Sequence, residues 1–468
     1  MIEDGALALR AQMDAGEISA QDLMTETLTR IDAVNGTVNA IVSLRDADVL
    51  MADAAAADAS PKQGWLHGIP MAIKDLANAA GLPTSMGSPL FAGTQADTDD
   101  VAIARLRSAG AIIIGKTNTP EFGLGSHSIN PVFGATCNPY DPSRSAGGSS
   151  GGAGVGLATS MLSVADGSDM MGSLRNPAGW NNVYGMRPSW GAVPSEPVGD
   201  TFLHQLATNG PMARNPRDLA ALLDTMAGPD PRQPHGVAQA PTLPQIEGGA
   251  QGQRIGWLAD WGGALAMEPG VLDLCTDALG QMADIGVTVD TLNAPFDRDA
   301  LWESWITLRS WSVAGGLATL FDDPEMRDQL KDTAIWETER GLAMSAMDVH
   351  RASVIRSDWF KTSAALFDRY DVLALPSAQM WPFDVTLDYP REIAGTAMDT
   401  YHRWMEVVIP ASLIGLPAIC VPAGFGGPHD MPMGLQLIGP RGSDAKLLRL
   451  AEAWHTATDW PGRRPPQL

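Results

Sequence analysis

The chain has 468 residues, of which 45% are hydrophobic and 18% are charged, and its formal net charge is −23. This composition supplies enough apolar material for a large core and too little charge density for a disordered chain, so a globular protein is expected. The negative charge would repel phosphate backbones, and no Lys- or Arg-rich run offsets it, which argues against nucleic acid as a partner.

Residues 1–60 are expected to be mostly helical. Ser19-Ala-Gln-Asp22 has the pattern of a capping box, and apolar residues recur at roughly helical spacing from Leu23 to Val34. The opening Met1-Ile-Glu-Asp is acidic where a secretory signal would be basic, and no apolar run approaches the length of a membrane span. We therefore expect a cytoplasmic protein without a membrane partner.

Beyond these helices, short apolar runs alternate with amphipathic segments, as at Met71 to Ile73 and Ala111 to Ile114. That alternation predicts α/β units around a mixed or parallel sheet. Residues 229–251 are rich in Pro, Gly, Gln and Ala and lack periodicity. Because strand and helix patterns resume after them, we interpret them as an excursion within one domain, in which residues 1–60 are a helical segment joined to residues 61–468.

The segment Gly110-Ala-Ile-Ile-Ile-Gly-Lys116-Thr117 fits the phosphate-binding pattern GxxxxGK[ST]. A phosphate cradle needs the middle residues to turn with their N–H groups inward, whereas Ala111 to Ile114 are mainly β-branched and favour a buried strand. Pro120 also follows where the helix after a phosphate loop should begin. We therefore expect a strand here and no nucleotide cofactor.

The segment Gly147-Gly-Ser149-Ser-Gly151 satisfies the GxSxG pattern of the α/β-hydrolase nucleophile elbow, which would make Ser149 the attacking residue. That elbow requires a strand just before the serine, but Asn138 to Gly147 is a turn-forming stretch with two prolines. It also requires a late histidine as the base, for which His455 is the candidate. The motif and its context disagree, and the elbow is kept as a disfavoured alternative.

Three segments stand in a fixed register: His67-Gly-Ile-Pro-Met-Ala-Ile-Lys74, Gly147-Gly-Ser149-Ser-Gly-Gly152 and Gly167-Ser-Asp-Met-Met-Gly-Ser173. Ser173 follows Ser149 by 24 residues, and Lys74 precedes Ser149 by 75 residues. These segments and spacings resemble those of the amidase signature family. Further family landmarks extend the resemblance from about residue 20 to the C-terminus: Lys116–Phe122, Asn138–Arg144, Tyr184–Ser189, Gly415–Ile419 and Gly434–Pro440.

The resemblance implies an α/β fold, with a single α/β/α domain around a large twisted mixed sheet. It implies that Ser173 attacks an amide carbonyl to form an acyl-enzyme and that Ser149 relays its proton to Lys74, with no metal or other cofactor. It also implies a cis peptide bond at Ser149. A lysine acts as a base only when it is neutral, so Lys74 has to be buried in surroundings that lower its pKa.

The resemblance further implies that the backbone N–H groups of Met170, Met171, Gly172 and Ser173 stabilise the oxyanion. Most family members carry two glycines directly before the nucleophile, and Met171 replaces the first of them. Because methionine is strained at positive φ, we expect Met171 at negative φ with its side chain turned away from the reacting carbonyl. Gly172 should then take whatever unusual torsion the turn requires.

Other motif positions suggest supporting and substrate-binding roles. Ser150, Asp169 and Arg175 match positions that we interpret as holding the catalytic loop by hydrogen bonds and charge pairing. Gly125 and His127 would lie near the acyl pocket and are candidate substrate contacts, although a histidine beside serines is more often hydrogen-bonded within the protein.

We expect a small-molecule amide or a related acyl compound as the substrate, and a homodimer is compatible with the sequence. Two alternatives stay open. A glutamyl-tRNA amidotransferase A-type subunit would share Lys74, Ser149 and Ser173, but the net charge of −23 disfavours charged tRNA as a partner. A non-catalytic binding protein on the same fold is the other, and the retention of all three residues argues against it.

Overall fold

The computed structural model describes residues 1–468 without a gap. No helix in it combines enough length with enough apolar character to span a bilayer. The α-helices are α1 (Ala6–Asp14), α2 (Ala20–Val38), α3 (Ala47–Asp58), α4 (Val101–Ser108), α5 (Gly151–Ala158), α6 (Arg175–Trp180), α7 (Pro216–Met226), α8 (Val271–Met282), α9 (Arg298–Asp322), α10 (Pro324–Arg327), α11 (Asp332–Leu342), α12 (Ala346–Phe367), α13 (Ile409–Leu413), α14 (Asp444–Thr458) and α15 (Trp460–Arg463).

The β-strands are β1 (Ile41–Val42), β2 (Pro70–Lys74), β3 (Ile112–Thr117), β4 (Ile129–Asn130), β5 (Gly134–Ala135), β6 (Val164–Asp169), β7 (Tyr184–Arg187), β8 (Thr208–Ala213), β9 (Arg254–Trp257), β10 (Thr288–Thr291), β11 (Val372–Pro376), β12 (Glu392–Ile393), β13 (Thr396–Ala397), β14 (Ala418–Gly426) and β15 (Met431–Ile438). Short 3-10 helices cover Pro89–Phe91, Glu121–Gly123, Leu243–Gln245, Ala283–Ile285 and Arg403–Val408.

Two sheets, of eight and three strands, form the scaffold. The larger sheet has the order β10-β9-β11-β15-β14-β7-β8-β6. Strand β9 runs parallel to its neighbours β10 and β11, and every other neighbouring pair in this sheet is antiparallel. The predicted α/β fold around a large mixed sheet is therefore confirmed. The smaller sheet has the order β1-β3-β2, with β2 parallel and β1 antiparallel to β3.

The N-terminal helices pack into the same core as the sheets. The capping box is confirmed, since Ser19 Oγ accepts the N–H of Asp22 and the Asp22 carboxylate accepts the N–H of Ser19. Helix α2 then contributes Met24 to an apolar cluster that also contains Ile114 of β3. We propose on this basis that residues 1–60 belong to the domain formed by the rest of the chain.

Residues 229–251 connect α7 to β9 and contain one 3-10 helix, Leu243–Gln245. Most of them are exposed or half-buried. After them, β9 enters the same eight-stranded sheet as β7 and β8, which precede them in the chain. The segment is thus an excursion from one sheet and does not link two separate sheets.

The ends of two strands bring the candidate catalytic segments together. Every residue of β2 is buried, and this strand ends at Lys74. Strand β6, at the edge of the large sheet, ends at Asp169, directly before the Ser173 loop. The Lys74 N–H donates to Asp166 Oδ1 at 3.0 Å. This hydrogen bond joins the two sheets and holds Lys74 beside the strand that leads to Ser173.

Asp169 ties the loop to the core through two buried arginines. Its carboxylate lies 3.0 Å from Arg175 Nε and 3.2 Å from Arg187 Nη1, and all three side chains are fully buried. It also accepts the N–H groups of Gly172 at 2.9 Å and Leu174 at 3.3 Å. Burial alone would raise the pKa of Asp169, but the two guanidinium groups outweigh it and hold the pKa well below its usual value. The charged carboxylate therefore fixes the shape of the loop.

The substitution Asp169→Asn should destabilise the protein strongly, because it leaves Arg175 and Arg187 in the core without a counter-ion. Breaking a buried ion pair from one side costs about 3–5 kcal/mol, so the free energy of unfolding should fall by about that amount. Urea unfolding followed by circular dichroism measures this difference.

Asp444→Asn is the matched control. Asp444 is equally buried, but it accepts only the N–H of Ser189, at 2.8 Å, and the hydroxyl of the same residue. With no cation left unpaired, its loss should be about 1 kcal/mol. Equal losses in the two variants would contradict the view that charge pairing holds the Ser173 loop.

Candidate active site

Hydroxyl groups enclose the Lys74 amine. Its Nζ lies 2.7 Å from Ser149 Oγ, 2.8 Å from Ser150 Oγ and 3.0 Å from Ser168 Oγ. The carbonyl oxygen of Ser168 is 3.3 Å away. The Lys74 side chain is only 1% exposed, and it forms no ion pair with a carboxylate. The burial that a lysine base requires is therefore present.

This enclosure changes the protonation of Lys74. Burial lowers the pKa of Lys74 from 10.5 to about 7, because an enclosed ammonium group loses its hydration, and the charges of Asp166 and Asp169 oppose this only in part. Lys116 is equally buried but has the carboxylate of Asp75 at 3.8 Å as a counter-ion. A large neutral fraction of Lys74 follows at neutral pH, and a neutral amine can accept a proton from Ser149.

The loop before α5 carries two of these hydroxyl groups. The peptide bond between Gly148 and Ser149 is cis, as the resemblance implied. Ser150, expected only to support the loop, contacts Lys74 Nζ directly, and its N–H donates to the Ser173 carbonyl oxygen at 3.2 Å. The loop thus connects Lys74 to the Ser173 segment through a side chain and through the backbone.

Ser173 lies beside this loop and is 6% exposed. The Lys74 to Ser149 hydrogen bond is present, but none joins Ser149 Oγ to Ser173 Oγ. Only the Lys74 half of the hydrogen-bonded chain implied by the resemblance is therefore formed. Catalytic hydrogen bonds are often long in ligand-free enzymes and shorten in the substrate complex.

The backbone around Ser173 offers unpaired donors. The N–H groups of Met170, Met171 and Ser173 make no hydrogen bond to the protein. The N–H of Gly172 donates to Asp169 Oδ1 at 2.9 Å. The residue that anchors the loop thus already accepts from the Gly172 N–H, and the role of this donor at the oxyanion stays a prediction.

Gly172 instead provides the turn. Its φ is +81°, and an added Cβ would lie 2.9 Å from both methyl groups of Val408, so both conformation and space require glycine. Met171 avoids positive φ, which confirms that part of the prediction. Its side chain is 2% exposed and packs within the main apolar core. The loop thus tolerates Met171 because the left-handed torsion falls on its neighbour.

His127 is hydrogen-bonded within the protein, the arrangement that is more common for a histidine beside serines, and its contact with substrate stays untested. Its ring is 2% exposed, with Nδ1 2.8 Å from Ser145 Oγ and Nε2 3.0 Å from the Val385 carbonyl oxygen. Burial lowers the pKa of His127 to about 4, so the ring is neutral at neutral pH. Gly125 is half-buried, and an added Cβ would lie 4.0 Å from Tyr401 Cε2. Substrate contact at Gly125 stays a prediction.

Sequence patterns alone do not single out two residues of the site, Asp166 and Ser168. Asp166 accepts the Lys74 N–H, and Ser168 Oγ contacts Lys74 Nζ. Burial raises the pKa of Asp166 to about 6, although the Lys74 N–H and the charges of Lys116 and Lys74 lower it. Both residues lie in β6, two positions apart, and side chains at that spacing share one face of a strand. This alternation is the signal that could have found them.

The phosphate-loop pattern is a buried strand, as expected. Every residue of Ile112–Thr117 is buried in β3. Lys116 Nζ donates to the Ala77 carbonyl oxygen at 2.5 Å and to Thr84 Oγ1 at 3.0 Å, and it lies 3.8 Å from Asp75. The Lys116 amine is thus used in hydrogen bonds inside the core. Because it is not available to a phosphate, the phosphate-binding interpretation is rejected.

The nucleophile-elbow alternative also fails. No strand lies between residues 138 and 148, directly before Ser149. His455, its candidate base, lies 3.2 Å from Tyr184 Oη and 3.8 Å from Asp459. Ser149 therefore has neither the strand nor the histidine that an elbow serine needs.

Residues 22–448 match the protein family described as Amidase. The chain is 32% identical over 473 residues to an acylamidase of Rhodococcus erythropolis, and this alignment covers 98% of this chain and 96% of that protein. It is 32% identical over 488 residues to the A-type subunit of the glutamyl-tRNA(Gln) amidotransferase of Chloroflexus aurantiacus, covering 98% and 97%. The solved structure of a bacterial aryl acylamidase from the amidase signature family has a TM-score of 0.91 at 25% identity and covers 99% of each chain.

These similarities extend over nearly the whole chain and include the segments that carry Lys74, Ser149 and Ser173. They accompany the same mixed α/β architecture. The chain is an amide-hydrolysing enzyme and belongs to the amidase signature family.

Proposed function

We propose that this enzyme cleaves the C–N bond of small-molecule amides with Ser173 as the nucleophile, Ser149 as the proton relay and Lys74 as the base. The observation that carries the proposal is the 2.7 Å contact between Lys74 Nζ and Ser149 Oγ. No carboxylate forms an ion pair with this amine. An amide carbonyl is a poor electrophile, so its hydrolysis needs an activated nucleophile and a proton for the departing amine. The three residues together supply both.

In the proposed first step, Ser173 Oγ attacks the amide carbonyl carbon and passes its proton to Ser149 Oγ, while Ser149 passes its own proton to the neutral Lys74 amine. As the tetrahedral intermediate collapses, the C–N bond breaks and the proton returns from Lys74 through Ser149 to the leaving nitrogen. Water then attacks the acyl-Ser173 ester by the same proton path. This releases the carboxylic acid and restores all three residues.

The negative charge that develops on the carbonyl oxygen needs donors that are oriented before the reaction begins. We propose the N–H groups of Met170, Met171 and Ser173 for this role, since none has an acceptor in the protein. Asp169 would act through the loop, holding Gly172 and Leu174 in place by their N–H groups. Arg175 keeps the Asp169 carboxylate in position from the other side.

The proposed acyl wall is the loop that borders Ser149. A Cβ added to Gly123 would lie 3.7 Å from Ser149 Oγ, so this loop approaches the relay serine closely. Leu124 and Tyr401 belong to one apolar cluster, and Gly125 faces the Tyr401 ring. Such a wall favours an apolar or aryl group over a charged one.

A second candidate function is that of an amidotransferase A-type subunit, favoured by the 32% identity to the Chloroflexus aurantiacus protein. The net charge of −23 opposes binding to tRNA. The non-catalytic alternative does not fit membership in a family of amide-hydrolysing enzymes. Amine release from p-nitroacetanilide, compared with ammonia release from glutamine, separates the two remaining functions.

A cytoplasmic location and a homodimer stay predictions of the sequence.

The two serines should respond differently to substitution. Ser173→Ala should abolish turnover of p-nitroacetanilide, because no nucleophile remains. Ser149→Ala should lower that kcat by about 10²–10⁴-fold, since it removes proton transfer to the leaving amine. It should spare more of the activity on p-nitrophenyl acetate, whose leaving group needs no proton. Initial rates on both substrates measure the contrast.

Ser363→Ala is the matched control, because Ser363 is also buried but donates to the Phe360 carbonyl oxygen in α12. It should leave both activities near those of the unchanged enzyme. An active Ser173→Ala variant together with an inactive Ser149→Ala variant would reverse the proposed roles of the two serines.

Activity should also follow the protonation of Lys74. The lowered pKa means that the neutral base is the majority form only above pH about 7. The value of kcat/KM should therefore rise with pH through an acid limb centred near that value, and Lys74→Ala should remove the limb along with most of the activity. Lys62→Ala should keep the limb, since Lys62 lies at the surface against Asp14. A limb that persists in Lys74→Ala would assign the titration to another group.

A further inference from the structure

A cavity of about 410 Å³ lies apart from the catalytic serines, between α12, the end of α13 and three loops. Its size falls within the range of about 300–1,000 Å³ that is usual for small-molecule sites. None of Lys74, Ser149 or Ser173 lines it. The lining residues, which we call the basic cavity, are Trp190, Gln205, Arg356, Ser357, Phe360, Lys361, Leu413, Ile414, Gly415 and Arg441.

The charge of the basic cavity is opposite to that of the protein. The chain has 54 acidic and 31 basic residues, yet three cations and no acidic residue line this cavity. Arg441 donates only to the Trp190 carbonyl oxygen, at 3.2 Å, and Arg356 has only a long contact of 3.4 Å to Ser353 Oγ. Lys361 has a carboxylate partner on its own helix, Asp358 at 2.6 Å. Two guanidinium groups therefore face the cavity without a counter-ion.

The remaining walls are aromatic and aliphatic. The Arg441 guanidinium lies over the Trp190 ring, 5.9 Å from its centroid. Gly415 fixes the base of that ring, because a Cβ added to Gly415 would lie 2.9 Å from Trp190 Cβ. Phe360 is 41% exposed, and Leu413 and Ile414 complete the apolar side. Flat apolar groups can stack on such walls while a charged end reaches the arginines.

We propose that the basic cavity binds a small aryl carboxylate, with the carboxylate on Arg356 and Arg441 and the ring against Trp190 and Phe360. A guanidinium group presents paired N–H donors that match the two oxygens of a carboxylate. The aromatic walls distinguish this ligand from a bare inorganic anion. The site does not depend on the catalytic roles of Lys74, Ser149 and Ser173.

Crystals of the enzyme soaked with 4-bromobenzoate test the proposal, because the anomalous signal of bromine locates the ring. We expect a bromine peak in the basic cavity whether or not a second peak appears near Ser173. Calorimetric titration should show that Arg356→Gln and Arg441→Gln each weaken binding at this site by about tenfold. Arg351→Gln is the matched control, since Arg351 is on the same helix but is exposed and paired with Asp348.

Two matched probes separate the contributions of charge and ring. 4-Bromobenzyl alcohol keeps the ring without the charge, and inorganic phosphate has charge without the ring; both should bind at least about tenfold more weakly than 4-bromobenzoate. The proposal fails if bromine occupies only the region near Ser173 or no site at all. It also fails if phosphate binds as tightly as 4-bromobenzoate, or if Arg351→Gln weakens binding as much as the two cavity variants.

Discussion

Lys74 Nζ contacts three serine hydroxyls and no carboxylate, inside a region from which water is nearly excluded. An ammonium group in that position would keep hydrogen bonds but lose most of its hydration, so the neutral amine gains relative stability. Most of the surrounding structure serves to maintain this condition. The Lys74 side chain is buried at the end of strand β2. The hydrogen bond from the Lys74 N–H to Asp166 holds that strand against β6.

The charges near the site are arranged so that Lys74 stays unpaired. Asp169 is ionised because its pKa is held well below the usual value, and Arg175 and Arg187 pair with its carboxylate. Asp166 contacts the Lys74 backbone, and its raised pKa keeps part of it uncharged near neutral pH. A single unpaired carboxylate beside Lys74 Nζ would raise the pKa of the amine and reduce the neutral fraction that its proposed role as the base requires. The ion pairs of the Ser173 loop therefore support the proposed proton transfer as well as the fold.

Much of this arrangement could be predicted from the sequence, because the spacings between Lys74, Ser149 and Ser173 resemble those of a known family. That resemblance implies that the three segments meet at one site. The burial of β3 followed from its β-branched residues, which outweighed a matching phosphate motif. Competition for individual polar atoms could not be predicted. The Gly172 N–H donates to Asp169, which lies three residues earlier in the same loop, whereas the His127 ring contacts Ser145 and the distant Val385. Each pairing depends on the folded geometry and has no motif of its own in the sequence.

Lys74 is expected to be neutral for much of the time at neutral pH, and the pKa of its amine can be measured directly. The chain has only six lysines, so enzyme labelled with ¹³C and ¹⁵N in lysine should give a resolvable set of side-chain resonances. Loss of one resonance in Lys74→Met assigns the residue. We expect that resonance to titrate with a pKa near 7. A Lys74 resonance that titrates near the ordinary lysine value of 10.5 would show that Lys74 is protonated at neutral pH and does not serve as a neutral base.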